Sequence, residues 1–241
     1  MSFPTAQKLY TVIEGTWPAA AKQAHGPWMI RLDGSGSSRV SAATAEGPVT
    51  GADIPLAEDA MRAAGQVPLF MIREGDAALD DLLAARGYVI KDPVNMYAIP
   101  VQDIATERPP PVTSFEVWPP LAAQVEIWAG GGIGAGRLAV MDRAPHPKTT
   151  LLGRMNDRPA GTVYVAIAAD CAMIHALEIV KQHRGQGLAR YLTRAAAFWA
   201  LARGADYLTL VTTQANTGAN ALYSSLGMTL VGHYHYRTLP E

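Results

Sequence analysis

The sequence LEIVKQHRGQGLAR, from Leu177 to Arg190, predicts a strand, a turn and a helix in that order. Residues 174–180 are apolar apart from His175 and Glu178, which is typical of a mostly buried strand. The letters RGQG form the turn. After it the apolar residues follow a helical spacing: Leu188, Tyr191, Leu192, Ala195, Ala196 and Trp199.

This turn is suited to binding an anion. A strand–turn–helix aims several free backbone N–H groups, and the positive end of the helix dipole, at one point. Gly185 and Gly187 let an anion approach the backbone closely, because neither carries a side chain. The turn therefore predicts a phosphate-binding site.

The composition indicates a folded protein without an excess of charge. The chain has 241 residues, 49% of them hydrophobic, which is enough for one large domain or two small ones. Lysine and arginine number 20 and the acids 21, so the net charge of −1 argues against a nucleic-acid-binding protein. Cys171 is the single cysteine, which excludes an internal disulfide and a cysteine-rich zinc site. Residues 1–20 lack a signal-peptide pattern and no apolar run could span a bilayer, so we expect a cytoplasmic protein that binds no membrane.

Residues 1–105 alternate between strand and helix patterns. Residues 28–32 and 39–44 are predicted strands, and the Gly/Ser-rich segment 33–38 is expected to join them as a hairpin loop. Pro93 interrupts the last strand of this part, which predicts an edge strand or a bulged one. The other predicted elements are a helix at 55–64, a strand at 68–72, a helix at 79–86 and a strand at 89–99.

A proline triplet at residues 109–111 marks the clearest linker. Three prolines cannot lie inside a helix, so the segment 106–112 is expected to be an extended spacer. The chain then divides into a first unit, 1–105, this linker, and a second unit, 113–241. Around the strand–turn–helix, the second unit has predicted strands at 115–118, 149–155, 161–167, 206–213 and 229–239, and helices at 121–129 and 217–226.

The two units end in a similar way. Residues 83–90, LAARGYVI, align with residues 223–230, YSSLGMTL, and in each a short helix ends at a glycine and leads into a closing strand. The match favours two copies of one architecture. A chance similarity of two helix–glycine–strand endings also explains so short a match. Only the second unit carries the RGQG turn.

A second motif follows the turn after one helix and one strand. Residues 216–228 read NTGANALYSSLGM. With RGQGLA at 184–189, this resembles the GNAT superfamily of acyl-CoA-dependent N-acetyltransferases, in which such a glycine turn precedes N-x-x-A-x-x-L-Y-x-x-x-G-F. Every element of the second motif is present, with Met228 in place of the final Phe. The resemblance covers most of residues 112–240. It implies an α+β fold of two GNAT-like units, the first degenerate, each a mixed, mostly antiparallel sheet flanked by helices.

The resemblance implies a site for acetyl-CoA as the acyl donor, without a metal. The strand edge from Leu177 to Ile179 would pair with the pantetheine arm, and Asn216 would either contact the cofactor or cap its helix. The backbone of the turn would hold the pyrophosphate, which agrees with the anion site inferred above. The residues implied there are Arg184, which could add a charged contact, Gly185, Gln186, Gly187, Leu188, Ala189 and Arg190.

The resemblance also implies catalytic residues. Tyr223 would lie near the thioester sulfur and protonate the departing thiolate; apart from the motif, it would be interpreted as a core aromatic. Some relatives use a Glu where this chain has Val211, and arylalkylamine N-acetyltransferases have a His that matches His175 and acts as base through water. Strand alternation places His175, Leu177 and Ile179 on one face. Two roles stay open for His175, that of a catalytic base and that of a structural residue.

Two further segments have alternative interpretations. The glycine-rich residues 130–136 follow the first helix of the second unit and are either a flexible lid over the acceptor or a linker. His233 and His235 share a strand face, which suggests a metal site, but no third ligand is indicated. The simpler interpretation is that these two histidines face water, whereas Tyr234 and Tyr236 of the same strand face the core.

The implied reaction is direct transfer of an acetyl group from acetyl-CoA to an amine of a small molecule or peptide within a ternary complex. Two alternatives remain, a non-catalytic acyl-CoA-binding sensor and an acyltransferase with a different acyl donor. The acceptor binds through loops that the family does not share, so its identity is open, as is the oligomeric state.

Overall fold

The computed structural model describes residues 2–240, so the outermost residues of the two predicted units, Met1 and Glu241, lie outside the described residues. The helices are α1 (Ala6–Thr16), α2 (Ser38–Ser41), α3 (Ile54–Ala63), α4 (Ala77–Ala85), α5 (Val101–Ile104), α6 (Ala122–Gly130), α7 (Ala135–Arg143), α8 (Leu188–Leu201) and α9 (Thr217–Ser225). The strands are β1 (Ala21–His25), β2 (Trp28–Leu32), β3 (Ala43–Ala45), β4 (Leu69–Ile72), β5 (Val89–Pro100), β6 (Ser114–Val117), β7 (Lys148–Met155), β8 (Arg158–Ala168), β9 (Cys171–Ile179), β10 (Tyr207–Thr213) and β11 (Thr229–Thr238). Among these helices, none has both the length and the hydropathy needed to cross a membrane.

The strands form one sheet in the order β1-β2-β3-β4-β11-β5-β10-β9-β8-β7-β6. Neighbours are antiparallel except in the pairs β3–β4 and β9–β10, which are parallel. On β9, Ala172 and Ile174 pack under α8, whereas Cys171 and Met173 pack against α1 on the other face. The predicted α+β fold, a mixed and mostly antiparallel sheet flanked by helices, is confirmed.

The closing strands of the two units are exchanged. β5 ends the first unit in sequence, yet it lies between β10 and β11, with Ile99 opposite Leu208. β11, the last strand of the chain, pairs in turn with β4 of the first unit, with His235 opposite Ile72. Each unit therefore completes the sheet of the other. The division of the chain into two units at residues 106–112 stays a prediction, because strands from before and after this segment belong to one sheet.

Pro93 lies in a bulge at the middle of the sheet. The register of β5 with β11 shifts between the pairs Val94–Tyr234 and Lys91–Tyr236, so β5 carries one extra residue here. Proline has no N–H for the ladder, and a bulge leaves a residue unpaired, so the two fit together. The predicted bulge is confirmed, whereas the edge-strand alternative is wrong.

The predicted strand at 39–44 is wrong in its first part. Residues 38–41 form the short helix α2, and the strand β3 begins only at Ala43. Val40 in α2 is fully buried in a cluster with Trp17 and Trp128, and this tertiary burial outweighs the β propensity of the segment. β2 and β3 still pair antiparallel, but a helical turn stands in their connection, where a simple hairpin loop was expected. α1 and β1 were not among the predicted elements.

The glycine-rich segment 130–136 comprises the last residue of α6, a tight turn at residues 131–134 and the first two residues of α7. Ile133 within it is buried. Gly136 lies in α7 against the first unit, where an added Cβ would stand 2.6 Å from the Cα atom of Ser35. This glycine therefore allows a close contact between the two units, which neither the lid nor the linker interpretation predicted.

Candidate active site

A cleft opens where β9 and β10 separate. Their parallel pairing ends at Ile174 and Leu210, after which β9 continues to Ile179 and β10 to Thr213 without pairing to each other. The cleft has a volume of about 770 Å³. Of the residues implied by the resemblance, those lining it are His175, Leu177, Ile179, Arg184, Gly185, Gly187, Leu188, Ala189, Arg190, Asn216 and Tyr223; Gln186 does not. The cleft thus brings together residues from the strand, the turn and α9.

A β-bulge lies on the wall of the cleft at Ala176. The register with β8 shifts at this point, and Ala176 has φ +51. The indole N–H of Trp128 in α6 donates to the Ala176 carbonyl at 2.7 Å, which holds the bulge in place. A bulge inserts one residue into the alternation of side chains along a strand. Residues on the two sides of the bulge that would share a face in a regular strand therefore lie on opposite faces of the sheet.

The expectation that His175, Leu177 and Ile179 share one face is therefore wrong. Leu177 and Ile179 pack with the cluster under α8. The His175 ring instead stacks on Trp17, with ring centroids 4.9 Å apart, on the opposite face of the sheet. The extra residue in the bulge is the physical reason, and no period-2 pattern in the sequence reveals it.

The backbone of β9 beyond the bulge presents an edge to the cleft. The Val180 N–H donates to the Ala160 carbonyl of β8 at 2.9 Å. Because backbone groups alternate in direction along an antiparallel strand, those of Leu177 and Ile179 point away from β8 and into the cleft. The Arg184 side chain donates through Nε to the Ile179 carbonyl at 3.0 Å, and its Nη2 lies 2.9 Å from a Glu178 carboxylate oxygen. Arg184 is therefore tied to the end of the strand.

The turn before α8 exposes a row of backbone donors. Gly185 and Gly187 have φ +74 and +87, a region that favours glycine. Within residues 2–240 the N–H groups of residues 185–190 have no hydrogen-bond acceptor, and the next one, of Tyr191, bonds to the Gly187 carbonyl. Together with the N-terminal dipole of α8, these donors form a cradle for an anion. The Arg190 side chain points away from these backbone N–H groups and donates to Ser225 Oγ in α9 at 2.8 Å.

Asn216 is the N-cap of α9, and Tyr223 lies within this helix. The Asn216 side-chain oxygen accepts from the Ala219 N–H at 3.1 Å, so it caps the helix, and the residue also lines the cleft. Tyr223 is 5% exposed, and its hydroxyl makes no hydrogen bond to another residue in the described part of the chain. Burial raises the pKa of Tyr223 to about 12. At neutral pH its hydroxyl is thus a proton-bearing donor beside the cleft.

His175 has both ring nitrogens occupied. Thr16 Oγ1 lies 2.8 Å from Nε2 and donates its own proton to the Val12 carbonyl, so it accepts from the imidazole N–H. Nδ1 then accepts from the guanidinium of Arg39 at 2.8 Å. Complete burial, and secondarily the Arg39 charge, hold the pKa of His175 well below its usual range. The imidazole is neutral, and its lone pair is used by Arg39.

Arg39 is a residue that the sequence patterns did not single out. It belongs to α2 of the first unit, yet it lines the cleft of the second. Its guanidinium lies 4.8 Å from the Trp17 ring centroid and donates to His175. No local signal marks it, because its place at the cleft depends on packing between the two units.

The two histidines of β11, which suggested a metal site, are not joined by a third ligand within the described residues. His233 is exposed and contacts Asn95, whereas His235 Nε2 lies 2.8 Å from an Asp80 carboxylate oxygen. In residues 2–240 no group of three His, Cys, Asp or Glu side chains is close enough to hold a metal ion. Tyr234 and Tyr236 of the same strand are buried.

Comparisons with known proteins agree with this geometry. A sequence model of the acetyltransferase (GNAT) family matches residues 103–228. No curated protein matches the chain. A solved GCN5-related N-acetyltransferase from Kribbella flavida is similar, with a TM-score of 0.74 and 21% identity over 100% of this chain and 97% of that one.

Two further solved structures share the fold. A functionally unknown conserved protein from Staphylococcus epidermidis ATCC 12228 has a TM-score of 0.68 at 13% identity, over 91% of this chain and 92% of that one. A tandem GNAT protein from the clavulanic acid biosynthesis pathway has a TM-score of 0.58 at 14% identity, over 83% of this chain and 76% of that one. At these identities the structural likeness is one of fold.

Proposed function

The chain belongs to the acetyltransferase (GNAT) family, and from this premise we propose that it transfers an acetyl group from acetyl-CoA to an amine. The transfer is direct, within a ternary complex of enzyme, donor and a small-molecule or peptide acceptor. One observation carries the proposal: the cleft between β9 and β10 has free backbone donors of residues 185–190 at one end and the Tyr223 hydroxyl at its side. The single cysteine and the balanced composition support a cytoplasmic enzyme.

The donor lies along the cleft in this proposal. Its pyrophosphate accepts hydrogen bonds from the N–H groups of residues 185–190, where the α8 dipole adds a favourable potential. Its pantetheine arm runs beside the exposed edge of β9 and pairs with the backbone of Leu177 and Ile179. Arg184 already bonds to the Ile179 carbonyl, so it positions the strand end and contributes positive charge near the anion.

Tyr223 acts on the leaving sulfur. The acceptor nitrogen attacks the thioester carbonyl carbon, and the carbon–sulfur bond then breaks to release the thiolate. With a pKa of about 12, complete proton transfer from Tyr223 to a thiolate near 8.5 is uphill by on the order of 5 kcal/mol. Tyr223 therefore acts as a hydrogen-bond donor that stabilises the negative charge as it develops on sulfur.

The acceptor must lose a proton, because only a neutral amine attacks a thioester and a lysine-like amine has a pKa of about 10.4. Neither position considered for a base is free to take this proton. Val211 carries no ionisable group, and the lone pair of His175 Nδ1 accepts a hydrogen bond from Arg39. With this geometry we propose that the acceptor reacts as its neutral fraction and passes its proton to water. The base role of His175 stays a hypothesis that requires Arg39 to leave the ring.

The occupied nitrogens of His175 also favour a second candidate, an acyl-CoA-binding sensor without turnover. Such a protein would use the same anion cradle and strand edge, and would need no base. An acyltransferase with a different donor is tested alongside it, by comparing the affinities for acetyl-, succinyl- and longer acyl-CoA.

Release of CoA from acetyl-CoA, measured with a panel of amines, tests the proposal. We expect acetyl-CoA to bind, at least one amine to release CoA, and the acetylated amine to appear in equal amount by mass spectrometry. Tight binding of acetyl-CoA without turnover by any amine would favour the sensor. Stronger binding of a longer acyl-CoA, with turnover, would change the donor and keep the reaction class.

A further inference from the structure

A second, smaller cavity adjoins the cleft where β9 and β10 separate. It has a volume of about 210 Å³. Arg39, Ala176, Val211 and Thr212 line both this cavity and the cleft, so the two spaces share a wall at the point of separation. A small group held in the cavity therefore lies beside the site of acetyl transfer.

Two guanidinium groups face this cavity. Arg39 comes from α2 of the first unit and Arg137 from α7 of the second, and both are half-buried. Within residues 2–240 neither forms an ion pair, although other half-buried or buried arginines do: Arg31 pairs with Glu14, Arg73 with Asp76 and Arg237 with Asp80. Two cations that line one cavity, each without an ion-pair partner, favour the binding of an anion there.

The surroundings of the two arginines agree with an anion site. Burial, and then the charge of Arg39, lower the pKa of Arg137 below its usual range, because each disfavours the charged form. Asp92 also lines the cavity, but it is exposed and forms no ion pair with either arginine within the described residues. The ring nitrogen of His175 and the face of Trp17 orient Arg39. This contact gives His175 a positioning role for Arg39.

We propose that the acceptor is a small amine that also bears an anionic oxygen group, a carboxylate or a phosphate, which Arg39 and Arg137 bind in this cavity. The proposal rests on the acetyl transfer proposed above and names the acceptor class for that site. Guanidinium groups bind both kinds of anion through paired N–H donors. The shared wall then directs the amine of the same molecule toward the cleft.

Matched acceptor pairs test the proposal. The enzyme is assayed for CoA release with glycine against glycinamide and with phosphoethanolamine against ethanolamine, and rates are expressed per neutral amine. We expect kcat/KM for at least one anionic member to exceed that of its neutral partner at least tenfold. Whichever pair shows the preference identifies the anion as carboxylate or phosphate.

Arg137→Gln is the informative variant, because Arg137 makes no side-chain hydrogen bond within the described residues and its loss should leave the fold intact. We expect it to lower the ratio of anionic to neutral kcat/KM at least tenfold, mainly through KM. Arg143→Gln is the matched control, since Arg143 lies on the same helix, pairs with Asp33 and lines neither cavity. That variant should leave the ratio unchanged.

A binding measurement separates this inference from the proposed function. The same four compounds are titrated into protein saturated with CoA. If the anionic members bind and Arg137→Gln removes that binding while no amine is acetylated, the acceptor site stands and the acetyl transfer fails. If neutral amines are acetylated as well as their anionic partners, or if Arg137→Gln lowers both equally, the acceptor inference is overturned and the acetyl transfer stands. Absence of both binding and turnover overturns both.

Discussion

Tyr223 and His175 lie beside the cleft, and burial moves their pKa values in opposite directions. Removal from water disfavours the charged form of each, so the tyrosine keeps its proton and the histidine does not gain one. Both side chains are therefore neutral at physiological pH. At this scale the chemistry follows from hydrogen-bond partners, since the Tyr223 hydroxyl makes no bond to another described residue, whereas both His175 nitrogens are occupied.

Replacing Tyr223 with Phe should lower kcat about a hundredfold while the Kd for acetyl-CoA changes less than threefold, because a single transition-state donor is lost. Stopped-assay kcat and calorimetric Kd values check this. Tyr97→Phe is the control: Tyr97 is equally buried and its hydroxyl bonds to Asn220 at 2.9 Å, but it does not line the cleft. A weaker Kd with unchanged kcat in the Tyr223 variant would contradict the donor role.

His175 should make the protein less stable in acid. Its folded pKa lies well below the unfolded value of about 6.5, so below that pH the unfolded chain binds a proton that the folded chain does not. The free energy of unfolding should fall, as pH decreases from about 6.5, by up to about 1.4 kcal/mol per pH unit from this group. Urea titrations at several pH values measure the slope.

The His175→Gln variant should show a smaller slope of this free energy between pH 6.5 and 5.5, even though the variant is less stable overall. His233→Gln provides the control, because His233 is exposed. Equal slopes in the wild type and in the His175 variant would show that the ring titrates normally and would reopen its role as a base.

At the scale of elements, the turn between β9 and α8 and the bulge within β9 shape the cleft together. The turn supplies donors because its glycines adopt positive φ and the first helical N–H groups have no partner in the helix. The bulge at Ala176 directs Leu177 and Ile179 toward α8 and sends His175 to the other face. Two small departures from regular geometry thus determine which backbone groups are free at the cleft and which side chains pack under α8 or against the first unit.

Gly187→Ala should weaken acetyl-CoA binding at least tenfold. A methyl group there meets only the Tyr191 ring within 4 Å, at 3.9 Å, so the protein itself leaves room for it. We expect the methyl group to hinder the close approach of an anion to the backbone. Gly204→Ala is the matched control, since Gly204 has a similar φ of +75, lies past the far end of α8 and does not line the cleft. Both variants should lose about 1 kcal/mol of stability from left-handed backbone strain. Equal Kd values for the two would remove the anion cradle from the proposal.

At the scale of the whole molecule, the exchange of closing strands makes the two units interdependent. β5 supplies Tyr97 and Ile99 to the core cluster beneath α8, and it separates β10 from β11. The first unit also supplies Arg39 to the cleft, so it contributes to the site as well as to the sheet. The first unit, which lacks a glycine turn of its own, therefore contributes both a strand to the sheet and a side chain to the cleft.

The segment 106–241 expressed alone should not fold, because it lacks β5 and leaves the apolar Leu208 and Leu210 of β10 without their cover. Circular dichroism and thermal denaturation measure this. A full-length chain cleaved at a protease site inserted within residues 109–111 is the control, and it should stay folded and bind acetyl-CoA. An isolated second unit that folds and binds acetyl-CoA would contradict the structural importance of the exchange.

The sequence by itself determined the local features of this protein. The strand, glycine turn and helix around residues 177–190 and the motif at 216–228 depend on neighbouring residues, so they predicted the family and many of the residues that line the cleft. Helix α3, strand β4 and the bulge at Pro93 were predicted for the same reason. Glycine and proline restrict the backbone at their own positions, wherever the rest of the chain lies.

Only the tertiary structure decided what the first unit brings to the cleft. The strand exchange, the bulge at Ala176 and the pairing of Arg39 with His175 join residues far apart in the chain. A period-2 pattern cannot show where one residue is inserted into a strand. Nothing in the sequence around Arg39 distinguishes it from the other arginines of the first unit or indicates that it lines the cleft. These features arise from packing between the units, because burial of Val40 and Trp17 against the second unit holds α2 and its arginine in place.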